Sequence, residues 1–268
     1  MICDFHAPIY NEPDYASMLA ETAQNLGFDK LCIRAGRERY GLAPNARVLQ
    51  YADGYPDLFV PFAHLSPGTD GAEEVERLAG RGFAGICLEA PPAAYDEPEF
   101  FPVYEAAACL GVPLFFHTGY LPPSRLDRAL GLRSSHMRPA ALDTIARQFP
   151  RLTVVGSGLG GPWFEEAAET LRWNENAFFD LSGPAIRTRG AAFFRSLLGP
   201  RPGPLPGEDD GGGAWSRVVF GTGAHYNQLA SVERDYQRLL RALALPEEVV
   251  ADIMGGNAAQ MLGFETDG

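Results

Sequence analysis

Residues 83–117, FAGICLEAPPAAYDEPEFFPVYEAAACLGVPLFFH, contain the unit from which the fold is read. Residues 83–89 and 113–117 are short apolar runs, the composition of strands covered on both faces. Between them, residues 103–110 repeat apolar positions near the 3.6-residue period of a helix. Strand, crossover helix and second strand make a parallel βαβ unit.

The unit recurs in both directions. Strands are predicted upstream at residues 1–5, 30–34 and 58–64, and downstream at 152–156, 177–181 and 217–220. Helices are predicted at 15–26, 72–79, 139–148, 165–171 and 229–243. Eight parallel strands close on themselves, so the expectation is an α/β fold, a (β/α)8 TIM barrel, as a single domain over residues 1–268. Residues 199–213, GPRPGPLPGEDDGGG, hold too many breakers for an element and read as an exposed loop before the last strand.

The net charge of −12 argues against a nucleic-acid backbone or an anionic membrane as partner, because both need clustered Lys and Arg. A small-molecule ligand is expected instead. Cys3, Cys32, Cys87 and Cys109 lie in apolar runs without disulfide-like spacing and read as reduced core residues. With no leader-like N-terminus or membrane-length apolar window, the expected location is cytoplasmic. Tyr95, Phe100 and Phe101, read as exposed aromatics, leave room for a homodimer interface.

In such a barrel, functional side chains project from the carboxyl ends of the strands. Those ends carry His6, Arg34, His64, Glu89, His117, Gly158, Ser182 and Gly223, with His225 and Tyr226 just beyond the last. His117, His64 and Glu89 are the candidates for proton transfer. Arg34, Tyr120, His225 and Tyr226 are the candidates for substrate binding, Arg34 through a bidentate fork to a carboxylate. A strand-end histidine is equally a packed ring with one satisfied hydrogen bond, so the convergence of several is the signal. The glycine-rich GSGLGG at 156–161 lacks the Lys-Ser/Thr of a phosphate loop, and no GxSxG elbow occurs.

Seven motifs stand in order along the chain: CDFH (3–6), GFAGICLEAP (82–91), VPLFFHTG (112–119), FPRLTVVGSGLGGPW (149–163), FFDLSG (178–183), VVFGTG (218–223) and GGNAAQMLGF (255–264). Together they resemble the amidohydrolase-related family that includes aminocarboxymuconate-semialdehyde decarboxylase. The resemblance implies a barrel that hydrolyses or decarboxylates small carboxylates or lactones, commonly with a divalent metal. Carried over residue by residue, it assigns His6 and His117 to metal-ligand positions. Pro8, Gly158 and Gly223 stand where the family has a second histidine, a further histidine and an aspartate that also serves as base.

The expectation is therefore a divergent hydrolase or decarboxylase with a metal-poor or metal-free site, holding no cofactor. Zinc is the alternative cofactor, with Glu89 or His64 recruited as ligand. The alternative function is an inactive barrel binding a small metabolite or a protein partner. Other matches read as folding devices: Asn257 capping the final helix, Asp180 and Ser182 satisfying backbone groups at the seventh strand, and residues 160–162 turning into a helix near Trp163.

Overall fold

The computed structural model describes residues 1–121, 131–200 and 213–264. Most of the predicted 199–213 loop, residues 201–212, therefore lies outside the described residues.

Eight strands are described: β1 (Cys3–Pro8), β2 (Lys30–Arg34), β3 (Phe59–Leu65), β4 (Gly85–Leu88), β5 (Leu114–Phe116), β6 (Val154–Gly156), β7 (Ala177–Asp180) and β8 (Val218–Val219). They pair in parallel in sequence order. The Phe5 N–H donates to the Phe220 carbonyl at 2.9 Å and the Gly223 N–H to the His6 carbonyl at 2.7 Å, which draws the ends of the sheet together into a barrel.

Helices α1 (Tyr15–Asn25), α2 (Asn45–Gly54), α3 (Ala72–Gly80), α4 (Phe101–Leu110), α5 (Ala140–Gln148) and α6 (Phe164–Trp173) follow strands β1 to β6. After β7 come α7 (Ala185–Thr188) and α8 (Ala191–Leu198), and after β8 come α9 (Leu229–Leu243), α10 (Glu247–Ala251) and α11 (Asn257–Leu262). Sequence reading did not place α2 or α8. α2 buries only Val48 and Ala52, too sparse a stripe to show a period. No helix of the described residues is long and apolar enough to cross a membrane.

The core has two parts. Helices pack their apolar stripes on the outside of the sheet. The barrel interior is filled by Cys3, Phe5, Cys32, Val60, Phe62, Cys87, Phe115, Val155 and Val219. Phe5 meets Phe62 edge to face at 5.2 Å, so the lower barrel is a packed floor rather than a pore.

Side chains alternate across a strand with period two. Interior Cys32, Phe62, Cys87, Phe115 and Val155 therefore put Arg34, His64, Glu89, His117 and Ser157 on the same inner stripe, one step nearer the carboxyl ends. β1 breaks the rule. Its register to β2 slips between Asp4 and Ala7, an extra residue of the bulge type. Both Phe5 and His6 consequently reach inward, Phe5 against Phe62 and His6 against Phe115 at 4.6 Å.

Three expectations are corrected here. Tyr95 and Phe100 are buried, and Phe101 is half-buried, so these rings offer no exposed dimer surface. The Tyr95 hydroxyl lies 3.0 Å from both the Leu88 and His117 carbonyl oxygens and holds two strand ends together. Cys109 is exposed on α4, while Cys3, Cys32 and Cys87 are free thiols in the core. Asn257 does not cap α11; its amide donates to the carbonyls of Ser216 and Val218, at 3.0 and 2.9 Å, and braces the entry to β8.

Candidate active site

A cavity of about 860 Å³ opens at the carboxyl ends of the strands. His6, Arg34, Glu89, His117 and Tyr120 line it, with Tyr10, Tyr40, Leu42 and Phe164 among the apolar walls. Tyr120 is exposed at the rim and stacks on Trp163 at 5.3 Å.

On the β2–β5 side, buried Glu89 is the anchor. Its carboxylate lies 3.4 Å from Arg34 Nη1 and 3.7 Å from His64 Nε2, and accepts the Arg37 backbone N–H at 3.2 Å. Burial works to raise the Glu89 carboxyl, but Arg34, the neighbouring imidazoles and the Arg37 N–H outweigh it and hold it below its ordinary value. Burial, and next the nearby Arg39, lowers the Arg37 guanidinium.

Burial pushes His117 and His64 each down to about 4, against the attraction of Glu89. Both rings are therefore neutral near pH 7. Among the described residues, several buried atoms on this side have no hydrogen-bond partner, including Nε2 of His117, Nε of Arg34 and the Tyr40 hydroxyl. An orphaned buried polar atom costs on the order of 1–3 kcal/mol, so three of them on residues lining one cavity are the mark of a ligand site.

His64 itself does not line the cavity. It stands behind Glu89, with its backbone N–H and carbonyl clamped by the Asn45 amide at 2.7 and 3.0 Å. Because its folded value, about 4, lies well below its ordinary 6.5, the unfolded chain takes up the proton first as pH falls. Stability is then full above pH 6.5 and declines toward pH 4, by roughly 3 kcal/mol for this ring. Urea midpoints taken across that window should slope upward with pH, and His64→Gln should flatten the slope; an unchanged slope would show that the ring is solvated.

On the β1–β7 side, His6 Nδ1 lies 2.8 Å from Asp180 Oδ2 and 3.3 Å from Ser182 Oγ. Asp180 is fully buried, and its other oxygen accepts the N–H groups of Gly158 at 2.6 Å and Ser182 at 2.8 Å. Asp4, also buried, accepts the Thr222 N–H and hydroxyl at 2.9 and 2.6 Å and ties the loop after β8 to β1. Asp180 does satisfy backbone groups, those of Gly158 and Ser182, whereas the Ser182 hydroxyl meets the His6 ring instead; the Asp180–His6 contact is what sequence reading missed. The parity of β7, with Phe178 packed against the interior, was the available signal.

His225 and Tyr226 do not line the cavity. His225 Nε2 turns to Glu12 at 3.3 Å, and its ring packs against Tyr10, Tyr15 and Tyr226 outside the mouth.

A family model described as amidohydrolase matches residues 35–264. The chain belongs to the amidohydrolase family. The match begins after β2, so the correspondence at His6 and Pro8 rests on the first strand of the barrel alone. No curated protein matches this amidohydrolase in sequence. Among solved structures it resembles an uncharacterized TIM-barrel protein of Bordetella bronchiseptica, at 20% identity and TM-score 0.73 over 98% of each chain. It also resembles 5-carboxyvanillate decarboxylase of Sphingomonas paucimobilis, at 16% identity and TM-score 0.66, over 98% of this chain and 99% of that one. A third is a probable 2-pyrone-4,6-dicarboxylic acid hydrolase of Acinetobacter baumannii with citric acid bound, at 15% and 0.64, again over 98% and 99%. At these identities the likeness is one of fold.

Does this amidohydrolase fit a resident ion? A catalytic zinc site takes three protein ligands and one open position. Among the described residues no group of three or more His, Cys, Asp or Glu could hold a metal ion. Glu89 is held by Arg34 and Arg37, and His64 lies behind it, so neither completes a set with His6 and His117. Gly223 has φ +57°, and a Cβ there would come within 3.1 Å of His6 Cε1 and of Ser182 Cβ. His6 and Ser182 thus occupy the space that a side chain at 223 would need. These residues do not fit the ion, and no step is routed through one.

Proposed function

We propose that this amidohydrolase turns over a small cyclic or aromatic carboxylate, by hydrolysis or decarboxylation, using imidazole and guanidinium side chains without a resident metal ion. The observation that carries this is a set of buried polar atoms, unpartnered among the described residues, on side chains that line one cavity: His117 Nε2, Arg34 Nε and the Tyr40 hydroxyl. Arg34 and Arg189 supply positive charge to the lining, while the one carboxylate among its described residues, Glu89, is already engaged by Arg34 and Arg37. An anion entering there meets the Arg34 and Tyr40 donors, inside a chain that is otherwise strongly acidic. Neutral His117 has a pKa below ambient pH and accepts or relays a proton rather than holding charge. The relatives named as decarboxylase and hydrolase supply the substrate chemistry for a first panel.

The test is elemental analysis of protein purified without chelator or metal-binding tag, run beside assays on carboxylated lactones and hydroxybenzoates. The expected result is substoichiometric metal and turnover that neither a chelator nor added zinc alters. One ion per chain, lost in His6→Ala, would replace this reading with a metalloenzyme. Saturable binding of panel members with no turnover of any would make the protein a binding barrel.

A further inference from the structure

We infer that His6 and Asp180 form a metal-free proton-transfer dyad, in which Asp180 fixes the His6 tautomer and His6 Nε2 is the base that faces the cavity. This rests on the cavity being an active site, and it gives chemistry to a side of that cavity opposite the Arg34–Glu89 cluster.

The argument is one of fixed geometry. The Oδ1 atom of Asp180 already accepts two backbone N–H groups, from Gly158 and Ser182, so it cannot rotate away. Its Oδ2 atom meets His6 Nδ1 at 2.8 Å within a fully buried contact. A carboxylate at that place can only accept, so Nδ1 carries the hydrogen and Nε2 keeps its lone pair. Among the described residues no protein group bonds Nε2, and His6 lines the cavity. The bulge in β1 turns His6 inward, and the absence of a side chain at Gly223 leaves the ring room beside Ser182. A base oriented by a buried carboxylate is an arrangement suited to general-base catalysis.

For a lactone or ester the step balances without a co-reactant other than water. Nε2 takes a proton from water as the water oxygen bonds to the carbonyl carbon. Asp180 stabilises the imidazolium formed. The tetrahedral adduct then breaks its bond to the alkoxy oxygen, which leaves with the electron pair and recovers the proton from His6. One water is consumed, one C–O bond is cleaved and the neutral dyad returns.

Asp180→Asn tests this sharply. Gly158 and Ser182 hold the amide oxygen in the Oδ1 position, so the NH₂ group must face His6 Nδ1 and drive the hydrogen to Nε2. Three readouts apply to the purified full chain: the His6 tautomer by NMR of histidine-¹⁵N protein, the rate at which diethyl pyrocarbonate acylates His6 by peptide mass, and turnover of the best panel substrate. Expected are Nδ1–H in the parent and Nε2–H in the variant. His6 acylation should slow at least about tenfold, because a protonated Nε2 has no lone pair. Turnover should fall about 10³- to 10⁴-fold with KM little changed, as for other mis-set tautomers. Nε2–H in the parent, equal acylation rates, or turnover kept after the tautomer has flipped would each overturn the dyad. If the parent turns over no panel member while tautomer and acylation behave as expected, it is the active-site reading that fails. Should Asp180→Asn not fold, Ser182→Ala, which leaves Oδ1 and Oδ2 contacts intact, must keep the Nδ1–H form; its loss would assign the orientation to Ser182 and overturn the role of Asp180.

Discussion

Glu89→Ala is expected to lower stability by about 3–5 kcal/mol, the cost of breaking a buried ion pair from one side. The carboxylate is almost wholly buried and faces Arg34, the Arg37 N–H and His64. Its removal leaves Arg34 uncompensated in a place where its Nε already has no partner among the described residues. Urea unfolding at pH 7 measures the loss. Glu89→Gln, which keeps an acceptor but not the charge, should lie between parent and alanine variant. A change under about 1 kcal/mol would mean that the pair behaves as a solvated surface pair.

His117→Ala is expected to act on turnover instead. Loss of a positioned acid-base group typically costs about 10²- to 10⁴-fold in rate. Among the described residues Nε2 of His117 has no hydrogen-bond partner, so the ring's removal breaks no hydrogen bond there, and what is lost is the link to the Tyr120 backbone and the attraction of Glu89. The unfolding midpoint should therefore move far less than for Glu89→Ala. Parental rates on the best substrate would remove His117 from the machinery, and a stability loss as large as that of Glu89→Ala would make it a core residue.

The two variants separate the halves of one inner stripe, and that stripe was partly legible in sequence. His117 and Glu89 follow apolar runs whose ends are visible without a structure. Arg34 and His64 sit at equivalent ends by the same reading. The error was to treat every strand-end group as cavity-facing. His64 is withdrawn behind Glu89, and His225 is turned to Glu12, because loop and helix packing decide what lies between a strand end and solvent.

By itself the sequence determined the barrel. Apolar runs with helical segments between them leave few ways to bury both faces of each strand, and parallel pairing in order is the one with short right-handed crossovers. It also determined that Pro8, Gly158 and Gly223 bring no ligating side chain. Only the tertiary structure decided what replaces them. The dyad joins residues 174 positions apart, across the seam where β7 and β8 meet β1, and depends on a bulge that re-aims His6 by one residue. Local pattern carries no record of such a contact, because the register at the barrel seam is set by packing and backbone hydrogen bonds between the two ends of the chain.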